Sequence, residues 1–227
     1  YDKYNSYFED DNFNKVAPKW FKTFREKNFS LFKEMNSPKI TDEDWRFTNL
    51  NDFFNSDFLP MSNPANLNKF DLPEVFDNFD AHYIFLVNGR LVSNSKCEFK
   101  IINLKDAILD EEKNLLKILK NEFSSANKDF FYLLNNSFLE NGIYVEVKES
   151  DNLKKPIVIV NKFDSDSENT FINSRNIFYF DKSTSGEIIE YSFSDNNEKY
   201  FSNKVSMFYQ EKNSNIEHLS IEDGSKS

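Results

Sequence analysis

The chain has 227 residues, with 28 lysines and arginines against 38 aspartates and glutamates, a formal net charge of −10. That balance argues against a nucleic-acid or anionic-membrane surface, because both need a cationic excess to neutralise phosphates. One cysteine, Cys97, excludes an internal disulfide and any cysteine-built zinc or cluster cage within these residues.

The length suits one large domain or two small ones. Twenty-six phenylalanines stand beside only four glycines and six prolines. Phe, Tyr, Asn, Lys and Ile share A/T-rich codons, so this excess reads as the bias of a low-GC genome and weakens any argument from aromatic or asparagine clusters. No apolar run approaches the roughly 20 residues needed to span a bilayer. The first ten residues hold Asp2, Glu9 and Asp10 and no secretory apolar core. A cytoplasmic, reducing location is expected.

Residues 1–15 are polar with scattered aromatics and predict a frayed start. Pro18 then suits a first helical turn. Trp20, Phe21, Phe24, Leu31, Phe32 and Met35 recur at helical spacing, and Asn36-Ser37-Pro38 stops that helix. Thr41 reads as the N-cap of a second helix, with Asp42, Glu43 and Asp44 in its first turn and Trp45, Phe47 and Leu50 on its apolar face. Residues 55–80 predict a long irregular connection. Tyr83–Val87, the turn pair Asn88-Gly89, and Leu91-Val92 predict a hairpin. A strand is predicted at Phe99–Ile102, and helices over 111–123 and 129–139, with Asn141-Gly142 ending the latter.

From Ile143 onward only strands are predicted: Ile143–Val147, Pro156–Val160, Ile172, Asn176–Phe180, Glu187–Phe193, Asn203–Tyr209 and Asn215–Ile221. Short strands at quasi-regular spacing fit a sandwich, a barrel or a β-solenoid. The connectors are longer and more polar than hairpin turns, which favours a solenoid with corners.

Pro38–Leu50 fits a "P-x-x-x-x-E-x-W-[KR]-[YF]-T-x-L" segment. Phe85–Leu91 fits an "F-V-N-G-x" strand, and Leu133–Gly142 an "A-L-N-x-A-x-x-x-x-G" helix end. The stretch through Pro156-Ile157 and then Ser174-Arg175-Asn176-Ile177 follow, with Ser174 in place of a proline. Taken in this order, these blocks resemble the SufB/SufD family of iron–sulfur cluster assembly scaffolds, and its SufD branch in particular. Asn36-Ser37-Pro38 departs from that family's common Gly-Leu-Pro.

The resemblance implies an α+β, mainly β fold. An N-terminal helical and mixed region (1–142) precedes the first turns of a right-handed parallel β-helix (143–227), cut before a C-terminal helical region. It implies a non-enzymatic scaffold that pairs with a SufB-like subunit and a SufC-like ABC-type ATPase, with no nucleic-acid or membrane partner. Any iron–sulfur cluster would belong to the complex, not to these residues. A start at Tyr1 and a polar end after Asn215–Ile221 read as cuts, so the chain is expected to be about the first half of a longer protein. A β-solenoid interaction module, or a carbohydrate-active or adhesin solenoid, is the alternative.

No catalytic, cofactor or metal residue is assigned. Cys97 has no second cysteine and reads as an incidental loop thiol. His218 falls on the strand face of Ile216 and Ser220, and its only fellow histidine, His82, is remote in sequence. Glu187, Glu190, Glu211, Glu217 and Glu222 read as a solvated face rather than a cation cluster. Trp20, Phe21 and Phe24 read as helix packing, and Trp45-Arg46 as an anchor rather than a docking pair. Phosphate loops and hydrolase triads are absent from the sequence.

Overall fold

The computed structural model describes residues 2–39, 42–48, 50–60, 70–123, 129–151, 153–164, 169–194 and 199–224. Helices come first and sheets follow. The predicted frayed start is instead two short helices, α1 (Asp2–Glu9) and α2 (Asn12–Val16). Sequence period missed them because each presents few apolar positions. Tyr4 packs against Phe32, Phe138 and Phe171, and Asp11 caps α2 by accepting the Phe13 amide at 2.7 Å.

Helix α3 (Lys19–Glu34) forms as predicted, with Pro18 at its N-cap, and buries Phe21, Phe24, Phe29 and Phe32. The helix predicted from Thr41 does not form among the described residues. Thr41 lies outside them, and only one 3-10 turn appears, Glu43–Trp45. The Asp42 carboxylate accepts the Lys39 amide at 2.8 Å instead of capping a helix. Phe47 is 87% exposed, while Trp45 and Leu50 are half-buried, so only part of the expected apolar face is covered. In the stretch predicted to be irregular lie the end of α4 (Asn51–Asn55), the short β1 (Leu59–Pro60) and a 3-10 turn at Glu74–Phe76.

The predicted hairpin is β2 (His82–Val87) and β3 (Arg90–Asn94), joined at Asn88 (φ 53°) and Gly89 (φ 77°), the two positive values a tight hairpin turn needs. Next come β4 (Lys100–Asn103), an unforeseen α5 (Leu104–Leu109), α6 (Lys113–Phe123) and α7 (Phe130–Ser137). Contrary to the expectation from sequence, Asn141-Gly142 does not close α7. The helix ends at Phe138, and Gly142 lies inside β5 (Asn141–Val147).

The remaining strands are β6 (Ile157–Phe163), β7 (Thr170–Phe180), β8 (Ser185–Ser194), β9 (Tyr200–Gln210) and β10 (Asn215–Asp223). Ile172 and Asn176–Phe180, read as separate pieces, are one strand. The first sheet runs β4-β5-β7-β9, with β1 on the start of β7; the second runs β3-β2-β6-β8-β10. From β5 on, the chain alternates between sheets, and each strand from β7 onward pairs in parallel with the strand two before it. The corners after β7 and β9 each carry a positive-φ residue, Ser183 and Asn213. They stack on one another through Ser183 N–H to Lys212 O and Asn215 N–H to Thr184 O.

Buried side chains divide the core among four places; one is the aromatic cluster of Tyr4, Phe29, Phe32, Phe130, Phe138 and Phe171, where α1, α3 and α7 meet the start of β7. Ile84, Val145, Ile159, Phe178 and Ile188 fill the space between the sheets. Helices α2, α3, α5 and α6 cover the outer face of the first sheet at Tyr144, Ile177 and Tyr179. The segment around Phe70, Leu72 and Phe76 covers the outer face of the second at Val158, Val160 and Tyr191.

Candidate functional site

The space between the sheets changes character along the stack. Register places Ile84, Ile159, Glu190 and Ser220 in one column of the second sheet, and Ile143, Asn176 and Ser206 in one column of the first. Two apolar steps are thus followed by a carboxylate. Glu190 is only 2% exposed, which corrects its assignment to a solvated face. Its partners come from three strands. Asn176 Nδ2 and Ser206 Oγ each donate to it at 2.6 Å, and His218 Nε2 lies 2.9 Å away.

Burial alone would raise the Glu190 pKa. The His218 hydrogen bond, the nearby Lys204 charge and the Ser206 and Asn176 donors outweigh it, and the net shift is downward. Lys204 also bonds Ser192 at 3.2 Å and Glu222 at 2.6 Å. The node is therefore a buried, hydrogen-bonded carboxylate set between the Lys204 ammonium and the His218 ring. It fixes β7, β8, β9 and β10 to one another.

Of the other acidic candidates, Glu222 shares Lys204 with the node, and Glu187 and Glu217 are register partners on neighbouring strands. Glu187 and Glu217 lie on the rim of a small pocket, and Glu211 pairs with Lys117 at 2.8 Å. No group of three metal-ligating side chains occurs among the described residues. His82 shares the register column of His218, through Ile157 and Ile188. Three strand steps, about 14 Å at the usual spacing, keep the two from one ion. Trp20, Phe21 and Phe24 pack in or against the helix-facing core. Trp45 packs at a tilt against Phe131, while Arg46 lies over exposed Phe47.

Cys97 is half-buried, and burial raises its thiol pKa. Its reaction with a disulfide reagent at pH 8 is expected to be slower than that of a free cysteine, and equal rates would contradict this burial.

Sequence reasoning missed the buried arginines. Two of the four arginines in the chain are fully buried. Arg25 donates to Ser137 O at 2.8 Å and Asn14 Oδ1 at 2.9 Å, and pairs with Asp11. Arg175 donates twice to Asn135 Oδ1, at 3.0 and 2.7 Å, and lies over the Tyr132 ring. Asn135 in turn donates to the Ser174 and Asn203 carbonyls. The scarcity of arginine in a lysine-rich chain was the available signal, since a lysine cannot supply this planar fork. Arg25→Lys is expected to lower stability by about 2 kcal/mol in urea denaturation, with Asn14 or Asp11 left short of a donor.

The family model described as SufBD protein N-terminal region matches residues 2–159. The chain belongs to the SufB/SufD family. No curated protein matches it. The matched SufBD region runs from α1 into β6 and contains the hairpin, Arg25 and the α7 end of the Arg175 node. The Glu190 node lies wholly beyond it, in β7–β10. No helix among the described residues is long and apolar enough to cross a membrane.

Proposed function

We propose that this chain is the N-terminal portion of a SufD-type scaffold in iron–sulfur cluster assembly, acting without catalysis of its own. The SufBD match over residues 2–159 carries this reading. The Glu43-x-Trp45-Arg46-x-Thr48 block favours the SufD branch over SufB.

The alternation of parallel strands between two sheets, with stacked corners, supports the further reading that β5–β10 are the opening turns of a right-handed β-helix. In this reading the helices and the Glu190 and Arg175 nodes stiffen the coil. Clusters are held by the assembled complex, in the cytoplasm, with a SufB-like subunit and a SufC-like ATPase as partners. Co-expression of the full-length protein with its paralogous scaffold and the ATPase tests it. A stable co-purifying complex is expected, and three proteins eluting separately would overturn it.

A further inference from the structure

A cleft of about 710 Å³ lies between the first two helices and the β2–β3 turn, and nothing in the scaffold reading uses it. Its size falls in the range of small-molecule sites. Its apolar walls are aromatic, from Tyr7, Phe13, Phe138 and Phe171.

The charged lining is mostly paired. Asp11 is bound by Arg25, and Glu140 by Lys105 at 2.6 Å. Lys105 also lies over the Phe13 ring. Asp10 is exposed at the rim. Arg90 differs: this half-buried guanidinium lines both the cleft and the smaller pocket beside it, yet has no hydrogen-bond or ionic partner among the described residues. Asn141 lines the same two spaces, and its carboxamide is likewise unpartnered among them.

The position of Arg90 is set by the hairpin turn. The Gly89 amide donates to Asn161 Oδ1 at 3.0 Å, and a Cβ on Gly89 would lie 2.4 Å from Ser174 Cβ. The turn is therefore wedged between β6 and β7, and the strand that carries Arg90 starts from a fixed point.

We infer that this cleft binds a small, singly charged organic carboxylate with a planar ring, its carboxylate held by Arg90 and its ring against the aromatic walls. A planar guanidinium matches a carboxylate with two parallel hydrogen bonds. Of the two lining cations, Lys105 is already paired with Glu140, which leaves Arg90 to match a single negative charge, so a polyphosphate or nucleotide is disfavoured.

Benzoate is the probe, with benzamide and inorganic phosphate as controls, titrated into the full chain labelled with 15N-arginine. Benzoate is expected to shift one arginine Nε–H signal saturably, with Kd about 1 mM or tighter. Benzamide and phosphate are expected to leave that signal in place. Arg90→Lys should remove the signal, and Arg90→Gln should weaken binding at least about tenfold. If Arg90→Gln does not fold, the titration of the unsubstituted protein decides alone. No shift with benzoate, an equal shift with benzamide or phosphate, or unchanged affinity in folded Arg90→Gln would each overturn the proposal.

Discussion

Gly142→Ala is expected to leave little or no folded protein. Gly142, the second residue of β5, has φ 128°, a backbone state that side-chain-bearing residues rarely adopt. A Cβ there would lie 1.7 Å from the Arg175 carbonyl oxygen and 2.5 Å from its carbon. The obstacle is backbone on the adjacent parallel strand, at the paired position itself. It cannot rotate away as a side-chain tip does. Relief requires β5 and β7 to separate where the first sheet is buried on both faces. Strain plus lost pairing should exceed about 4 kcal/mol, a large share of a typical domain's stability. Soluble yield and cooperative thermal unfolding measure it. A variant with the parental melting temperature would show that β5 and β7 do not pack this closely.

Glu190→Ala is expected to cost roughly 3 to 5 kcal/mol at pH 7, because it leaves Asn176, Ser206 and His218 facing a buried gap. The sign of the pH dependence follows from the direction of the shift. The folded-state pKa of Glu190 lies below its ordinary value of 4.5. Its ionised form therefore stabilises the fold fully above about pH 4.5, and that share is lost as the pH falls through the lower folded-state value. Urea denaturation of both proteins from pH 7 to pH 3 should show a wide gap that narrows below pH 4.5. A gap that stays constant across that window would mean that the charge of Glu190 contributes nothing.

The two substitutions probe different things that sequence reading reached unequally. Local order was legible wherever one period or one turn pair decided it. Examples are α3 from Trp20 to Phe32, the Asn88-Gly89 hairpin, and the strands after Ile143. It failed where a local signal was used elsewhere. Asp42, expected within the first turn of a helix begun at Thr41, closes a turn onto Lys39 instead. Gly142 makes room for a neighbouring strand rather than ending α7. The helices α1 and α2 escaped notice because their order comes from distant partners, Tyr4 against Phe171 and Asp11 with Arg25.

The sites divide in the same way. Lack of a cysteine cage and the order of the family blocks were properties of residue identity, readable without coordinates. Strand alternation also placed His218 on the face of Ile216 and Ser220, since a period of two needs no partner.

Which carboxylate is buried was not readable. Glu187, Glu190 and Glu217 look alike in sequence. Only the register of β8 against β6 and β10, and the sheet opposite, puts Glu190 between Asn176, Ser206 and His218. By itself, the amino-acid sequence determined composition, charge, the elements set by a single period or turn pair, and the family resemblance. The tertiary structure decided which polar groups lost water, because desolvation depends on what lies across the sheet and not on neighbours along the chain.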